Sequence, residues 1–206
     1  MLIFTPQSLA FIAVPKTGTT AVEMALKPKA DIVFTKQRKH MTAQRFHKKI
    51  APFLDAAFDL RPDPMAVMRD PEEQVRSWYR YRNRDRNVET PTSTKELSFD
   101  QFVLDVIADD PPKYAGIGSQ YKMLTSARGA VLVEHLFAYE TPTLFHNFLD
   151  ERFGQAIVLK QKNVSPRVDA PLGSDTRRKL HAARATEFDL YHRLMDAGGH
   201  LVTSQG

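Results

Sequence analysis

Between residues 10 and 26 the chain reads Ala-Phe-Ile-Ala-Val-Pro-Lys-Thr-Gly-Thr-Thr-Ala-Val-Glu-Met-Ala-Leu, an order that leaves few folding choices. Phe11 to Val14 is an apolar run of the kind found in strands buried on both faces of a parallel sheet. Pro15 ends it. Lys16, Thr17, Gly18, Thr19 and Thr20 then supply one cation, one flexible backbone position and three hydroxyls. Ala21 to Leu26 is rich in helix formers, with Val22 and Leu26 one turn apart on a single face. A strand, a polar turn and a helix in this order form an anion cradle. The free N–H groups and dipole of the helix N-terminus favour phosphate or sulfate, and Lys16 adds a point charge. The Walker order is absent, because lysine precedes the loop glycine instead of following it. The plainer alternative is an ordinary strand-to-helix turn carrying an exposed lysine.

Similar punctuation recurs downstream. Asp31–Thr35 reads as a second short strand. Thr42 is positioned to cap a helix from Ala43 to about Leu54, with Phe46, Ile50 and Phe53 inward. Met65–Met68 is a third apolar run, ended by Arg69-Asp70-Pro71. Asp70 as cap and Pro71 at the first position predict a helix to about Arg82. The polar stretch 83–97 reads as a mobile or substrate-facing loop. Ser98 opens a helix in capping-box form, and 119–126 reads as another short helix. A strand is expected within Ala130–Ala138, a helix from Thr141-Pro142 to about Arg152, and at Ala156–Leu159 either an edge strand or a loop. One last amphipathic helix from Ser174 is stopped by Gly198 and Gly199. Strands alternating with helices imply an α/β domain, 1–206, with a central, mainly parallel sheet flanked by helices. Ligands of such sheets bind beyond the carboxyl ends of the strands, where Lys16 and Arg69 both fall.

Composition narrows the chemistry. The chain has no cysteine, which removes disulfide frameworks, thiolate metal sites and cysteine nucleophiles. Its net charge of +5 favours anionic partners: a nucleotide, a nucleic acid or an acidic glycan. The histidines are scattered without a metal-binding pattern, so no metal is expected. No signal peptide or membrane span is read, and a cytoplasmic location is the expectation.

The loop Pro15-Lys16-Thr17-Gly18-Thr19-Thr20 resembles the 5′-phosphosulfate loop of sulfotransferases that use 3′-phosphoadenosine 5′-phosphosulfate (PAPS). Met65 to Tyr79 resembles the segment that holds the nucleotide 3′-phosphate in that family. There a strand-end arginine is followed eight residues later by a helical serine, a spacing that Arg69 and Ser77 match. The pairing is physically sensible, since guanidinium offers phosphate a planar fork and the hydroxyl adds a neutral donor. Lys39-His40-Met41 follows the second strand, and carbohydrate sulfotransferases often carry a histidine there. Imidazole suits the base that takes the acceptor proton, although a surface histidine is the plainer reading. Glu23 and Glu140 are reserve bases. Lys160 to Arg167 looks like the Asn-x-Ser segment of Golgi-type sulfotransferases, in which Lys162, Ser165 and Arg167 would approach the nucleotide; a solvated basic loop is the plainer alternative. The Arg-Lys-Gly stretch of cytosolic small-molecule sulfotransferases is absent near the C-terminus, which points to the carbohydrate branch in a short, bacterial-like form.

The resemblance implies a P-loop-NTPase-like three-layer fold and transfer of a sulfuryl group from PAPS to an acceptor hydroxyl on a carbohydrate, with an anionic glycan among the candidate acceptors. Lys16 would face the phosphosulfate, and Thr17, Gly18, Thr19 and Thr20 would hold the 5′-phosphate. Arg69 and Ser77 would take the 3′-phosphate, with His40 as base. Two rivals remain. A nucleotide-dependent kinase or NTPase would need a strand-end carboxylate for Mg²⁺, for which Asp70 is the nearby candidate. A non-catalytic nucleotide or nucleic-acid binder would use Arg76, Arg80, Arg82, Arg84 and Arg86 with their interleaved aromatics. Acidic neighbours make a solvated helix end the commoner outcome for that run, so nucleic acid is not the expected partner.

Overall fold

Leu9, Phe11 and Ala13 pack to one side of their strand, while Ala10, Ile12 and Val14 pack to the other. A strand apolar on both faces must be covered on both faces, and this requirement organises the molecule. The computed structural model describes residues 1–84, 90–160 and 169–203. Among them a six-stranded sheet runs in the order β3-β1-β2-β4-β5-β6. Its strands are β1 (Leu2–Phe4), β2 (Leu9–Ile12), β3 (Ile32–Val33), β4 (Asp63–Met68), β5 (His135–Ala138) and β6 (His200–Val202).

Helices α1 (Thr19–Leu26) and α7 (Pro142–Phe153) cover one face through Val22, Leu26, Phe145 and Leu149. The other face meets α2 (Ala43–Arg45), α3 (Ala51–Phe58), α6 (Gln120–Leu124) and α9 (Ala185–Asp196) through Ala43, Phe46, Leu54, Leu124, Leu190 and Leu194. Beyond the sheet, α4 (Pro71–Arg82), α5 (Phe99–Val106) and α8 (Ser174–Ala183) enclose a third apolar cluster around Val75, Tyr79, Phe102 and Leu180.

The sheet is mixed, and only its centre is parallel. β2, β4 and β5 run together, while β1 is antiparallel to both β2 and β3, and β6 is antiparallel to β5. The mainly parallel expectation therefore fails at both margins. β1 and β6 are three residues each, too short to show a period, and β1 reaches β2 through a tight turn with Ser8 at φ 49°.

Other departures are local. Phe53, expected inward, is 55% exposed. The segment Phe46–Ile50 is a π-helical turn joining α2 to α3, which rotates the following residues off the expected face. Pro52 lacks the N–H that residue 48 would use, and the Ala51 N–H instead reaches back to Phe46 O. Residues 156–159 form no strand. The last helix is broken at Arg184 into α8 and α9. The caps Thr42, Asp70 and Ser98 behave as expected, each accepting a first-turn N–H through the side chain, and Ser119 does the same for α6. No helix among the described residues is long and apolar enough to cross a membrane.

Candidate functional site

β2 and β4 are adjacent and parallel, so the loops after them leave the sheet at the same edge. The loop after β2 turns sharply. Lys16 and Gly18 both have left-handed backbones, φ 69° and 77°. Left-handed residues in a tight loop curl successive N–H groups toward one concave side. Gly18 is the N-cap of α1 and supplies no side-chain cap; Ala21 N bonds Gly18 O at 2.9 Å, and the N–H groups of Thr19 and Thr20 are left for an incoming acceptor. The three hydroxyls are not equivalent. Thr17, 3% exposed, donates its hydroxyl to Val14 O at 2.8 Å and so braces the loop. Its hydroxyl is spent on that carbonyl, which leaves Thr19 and Thr20 as the hydroxyls of the helix start.

The loop packs on one stripe of α4. Gln74 Nε2 approaches Pro15 O at 3.5 Å. Lys16 Nζ lies 4.1 Å from the centre of the Tyr81 ring and 5.5 Å from that of Trp78. Ser77, half-buried, stands on the same stripe, three residues after Gln74 and four before Tyr81. Arg69 leaves β4 at the start of this helix. Its guanidinium lies over the Tyr139 ring at 4.6 Å and meets Glu73 at 3.5 Å. Polar capacity is left over here: Arg69 Nε, Gln74 Oε1 and Trp78 Nε1 are buried without a hydrogen-bond partner. Unpaired buried groups cost free energy, and a ligand with acceptor and donor atoms would relieve that cost.

His40 reaches the same edge by a different route from the one expected. Its strand, β3, is at the sheet margin, separated from β2 by β1. The 36–42 connection nevertheless brings the ring to Ala13 at the end of β2. Nδ1 lies 2.6 Å from Ala13 O. A carbonyl only accepts, so Nδ1 carries the proton and Nε2 keeps its lone pair. Burial holds the imidazole below its ordinary value of 6.5; the Ala13 bond and Glu23 oppose this, while Lys39 and the Met1 amino group reinforce it. A neutral ring with a defined acceptor nitrogen is what proton abstraction needs.

The reserve bases are occupied. Glu23 pairs with Lys39 at 2.7 Å. Glu140 accepts the Asp70 N–H at 3.1 Å and hydrogen-bonds Tyr191, whose phenol is pushed well up by burial first and then by Glu140. Asp70 itself caps α4, accepting from Glu73 N at 2.9 Å. The arginine run is not a solvated patch throughout. Arg76 is 9% exposed, paired with Glu72 and Glu73 and stacked on Phe99. Arg82 is 8% exposed, lies over Trp78 and donates to Lys113 O. Arg86, Lys162, Ser165 and Arg167 lie outside the described residues.

Two contributors come from segments that motif spacing does not reach. Tyr139 follows β5 and stands between Arg69 and the Lys16 loop: the Arg69 guanidinium lies over its ring at 4.6 Å, and its Cε2 is 3.4 Å from where a Cβ on Gly18 would be. The strand-end rule that singles out Lys16 and Arg69 also selects it. Gln120, fully buried, clamps the Arg69 backbone: its Oε1 accepts the Arg69 N–H at 3.0 Å and its Nε2 donates to Arg69 O at 2.9 Å. Glu187, 1% exposed, fixes Gln120 in turn by accepting its backbone and side-chain N–H groups and the Ser119 hydroxyl.

At the opposite edge of the sheet, ligand atoms of Asp63, Glu134 and His135 lie within 4.8 Å of one another. Among the described residues they form a group able to hold a metal, but Asp63 already pairs with Arg152 at 2.8 Å. Compared with family models, curated proteins and solved structures, the chain finds no match.

Proposed function

We propose that this protein is a PAPS-dependent sulfotransferase with a P-loop-NTPase-like three-layer fold, moving a sulfuryl group to an acceptor hydroxyl, on a carbohydrate by the branch it resembles. One observation carries the reading. Two segments about fifty residues apart in sequence, each resembling one half of a nucleotide site, pack together: Lys16 rests on Tyr81 and Trp78 of the helix that bears Ser77 and begins beside Arg69.

The chemistry follows from the residues. The 5′-phosphosulfate would sit on the N–H groups of Gly18, Thr19 and Thr20, and the 3′-phosphate between Arg69 and Ser77. Lys16 would exchange an aromatic contact, worth about 0.5–2 kcal/mol, for a stronger charge-assisted bond to phosphosulfate oxygens. The acceptor oxygen attacks sulfur in line with the bridging S–O bond. That bond breaks, its electron pair stays on the 5′-phosphate oxygen beside Lys16, and the acceptor proton passes to His40 Nε2. Asp70 is committed to its cap, which weighs against a Mg²⁺-dependent kinase.

Calorimetric titration with adenosine 3′,5′-bisphosphate and with ADP tests this. The bisphosphate should bind more tightly, and Arg69→Ala should abolish the difference, a loss of roughly tenfold or more for a charged hydrogen bond. Equal affinity for the two nucleotides, or no loss in the variant, would sink the proposal. Labelled PAPS presented with a glycan panel would then identify the acceptor.

A further inference from the structure

The segment that delivers His40 to Ala13 also forms one wall of a cleft of about 540 Å³ between residues 34–42 and the π-helical turn. Four cations surround it: Arg38, Arg45, Lys48 and Lys49. Its apolar lining is Phe34, Met41 and Ile50, with Met41 only 7% exposed. No carboxylate lines the cleft, and none of the four cations takes part in an ion pair among the described residues. This contrasts with Arg61, Arg76, Arg152 and Arg177, each of which is matched by a carboxylate. Like charges gathered without counter-charge repel one another, and an anion removes that cost. The π-turn contributes Lys48, Lys49 and Ile50 to the wall, and such turns recur at functional positions.

We propose that this cleft binds a multiply anionic ligand with an apolar face, its sulfate or carboxylate groups on the four cations and its apolar face on Phe34, Met41 and Ile50. Resting on the sulfotransferase reading, the ligand is the acceptor: Arg38, Met41 and Thr42 of the cleft belong to the same 36–42 connection that carries His40, whose ring turns to Ala13 and does not itself line the cleft. The acceptor class is therefore anionic.

Titration with sucrose octasulfate, sucrose and octyl sulfate tests the cleft directly. The octasulfate should bind at least roughly tenfold more tightly than sucrose, and weaken as salt shortens the Debye length. Tighter binding of octyl sulfate than of its uncharged alcohol would identify an amphiphilic acceptor, and its absence a saccharide. Arg38→Ala/Lys48→Ala should lose about tenfold or more in octasulfate affinity. Lys122→Ala/Arg128→Ala, which removes the same charge elsewhere, should lose less than about twofold. Equal losses in the two double variants, or none in the first, would overturn the cleft. Adenosine 3′,5′-bisphosphate titration of the same cleft variant separates the two proposals. Unchanged nucleotide binding with lost octasulfate binding supports both. Cleft-dependent octasulfate binding in a protein with no bisphosphate preference overturns the acceptor role and leaves the anion site standing.

Discussion

The two edges of the central sheet are built from similar residue types and have opposite hydrogen-bonding balances. At the amino edge of β4 and β5 the polar groups satisfy one another. Asp63 pairs with Arg152, which also donates to Gln7 O. His135 Nδ1 meets His200 Nε2 at 3.2 Å, and the His200 ring stacks on Phe137 at 4.1 Å. Burial, then the charge of Asp63, pushes the Glu134 carboxyl up. At the carboxyl edge, capacity is left unspent. Of the five buried side-chain atoms without a hydrogen-bond partner among the described residues, four, Arg69 Nε, Gln74 Oε1, Arg76 Nη1 and Trp78 Nε1, lie on α4 or just before it, and none belongs to the Asp63 group. Unmet buried polar groups call for a partner, which a ligand or an ordered water can supply. Residue type alone would not separate the edges, since the amino edge holds the denser cluster of histidines and carboxylates.

The sharpest way to break that contrast is to remove one titratable group from each edge. His40→Ala should lower turnover about 10²–10⁴-fold, the usual worth of a positioned base, while leaving bisphosphate affinity unchanged. Turnover of the wild type should fall on acidification with a midpoint below 6.5, because the folded environment disfavours the imidazolium. The same shift makes the folded state bind fewer protons than the unfolded chain near that pH, so His40 also costs stability as the pH drops through 6.5. Asp63→Ala should do the reverse of His40→Ala: about 1 kcal/mol of stability lost as Arg152 gives up its carboxylate partner and keeps Gln7 O, and turnover per folded molecule unchanged. Chemical denaturation and steady-state rates on both variants decide it. A turnover loss in Asp63→Ala matching that of His40→Ala would erase the distinction between the edges.

The next effect concerns how the carboxyl edge is held rather than what it binds. Gln120 lies 51 residues from Arg69 and satisfies both backbone groups of that residue. Gln120→Leu strands those groups and takes one donor, the side-chain amide, from the buried Glu187, which keeps the residue-120 backbone N–H and the Ser119 hydroxyl. The expected cost is about 2–4 kcal/mol, read as a lower denaturation midpoint with an unchanged slope. Bisphosphate affinity should drop as well, because the Arg69 backbone loses its clamp. A destabilised variant with intact affinity would mean that Arg69 is positioned by β4 alone.

What could be read from the chain before its fold was known divides by range. The strand, turn and helix of residues 9–26 and 63–82 are legible because local chemistry determines them: apolar runs, Pro15 and Pro71 as breaks, Asp70 as cap. Arg69 and Lys16 are legible as strand-end cations. Gln120 and Glu187 are not, since a lone glutamine on a five-residue helix and a glutamate in the first turn of α9 have no local signature. Their role exists only after distant segments meet. The margins β1 and β6 are illegible for a related reason: three residues of strand are stabilised by a neighbour's ladder and not by their own period. The π-turn is legible in hindsight from Pro52, which no regular helix accommodates at that position without losing a bond.

Gly18 gives the smallest and most local test of the carboxyl edge. Its φ of 77° is a conformation that a side chain disfavours by about 1–2 kcal/mol. A Cβ there would stand 3.4 Å from Tyr139 Cε2, which is ordinary contact, so the penalty of Gly18→Ala is in the backbone and not in a clash. The loop has two ways to respond. If it keeps its shape, stability falls by about 1 kcal/mol and bisphosphate affinity is retained. If it relaxes toward negative φ, stability is nearly unchanged, the N–H groups at the start of α1 turn away from the cradle, and affinity falls instead. Either result fits a loop whose curvature exists to gather donors, since the penalty is taken in stability or in binding. A variant unchanged in both would show that the left-handed turn at Gly18 serves neither, and that the cradle is an ordinary strand-to-helix connection.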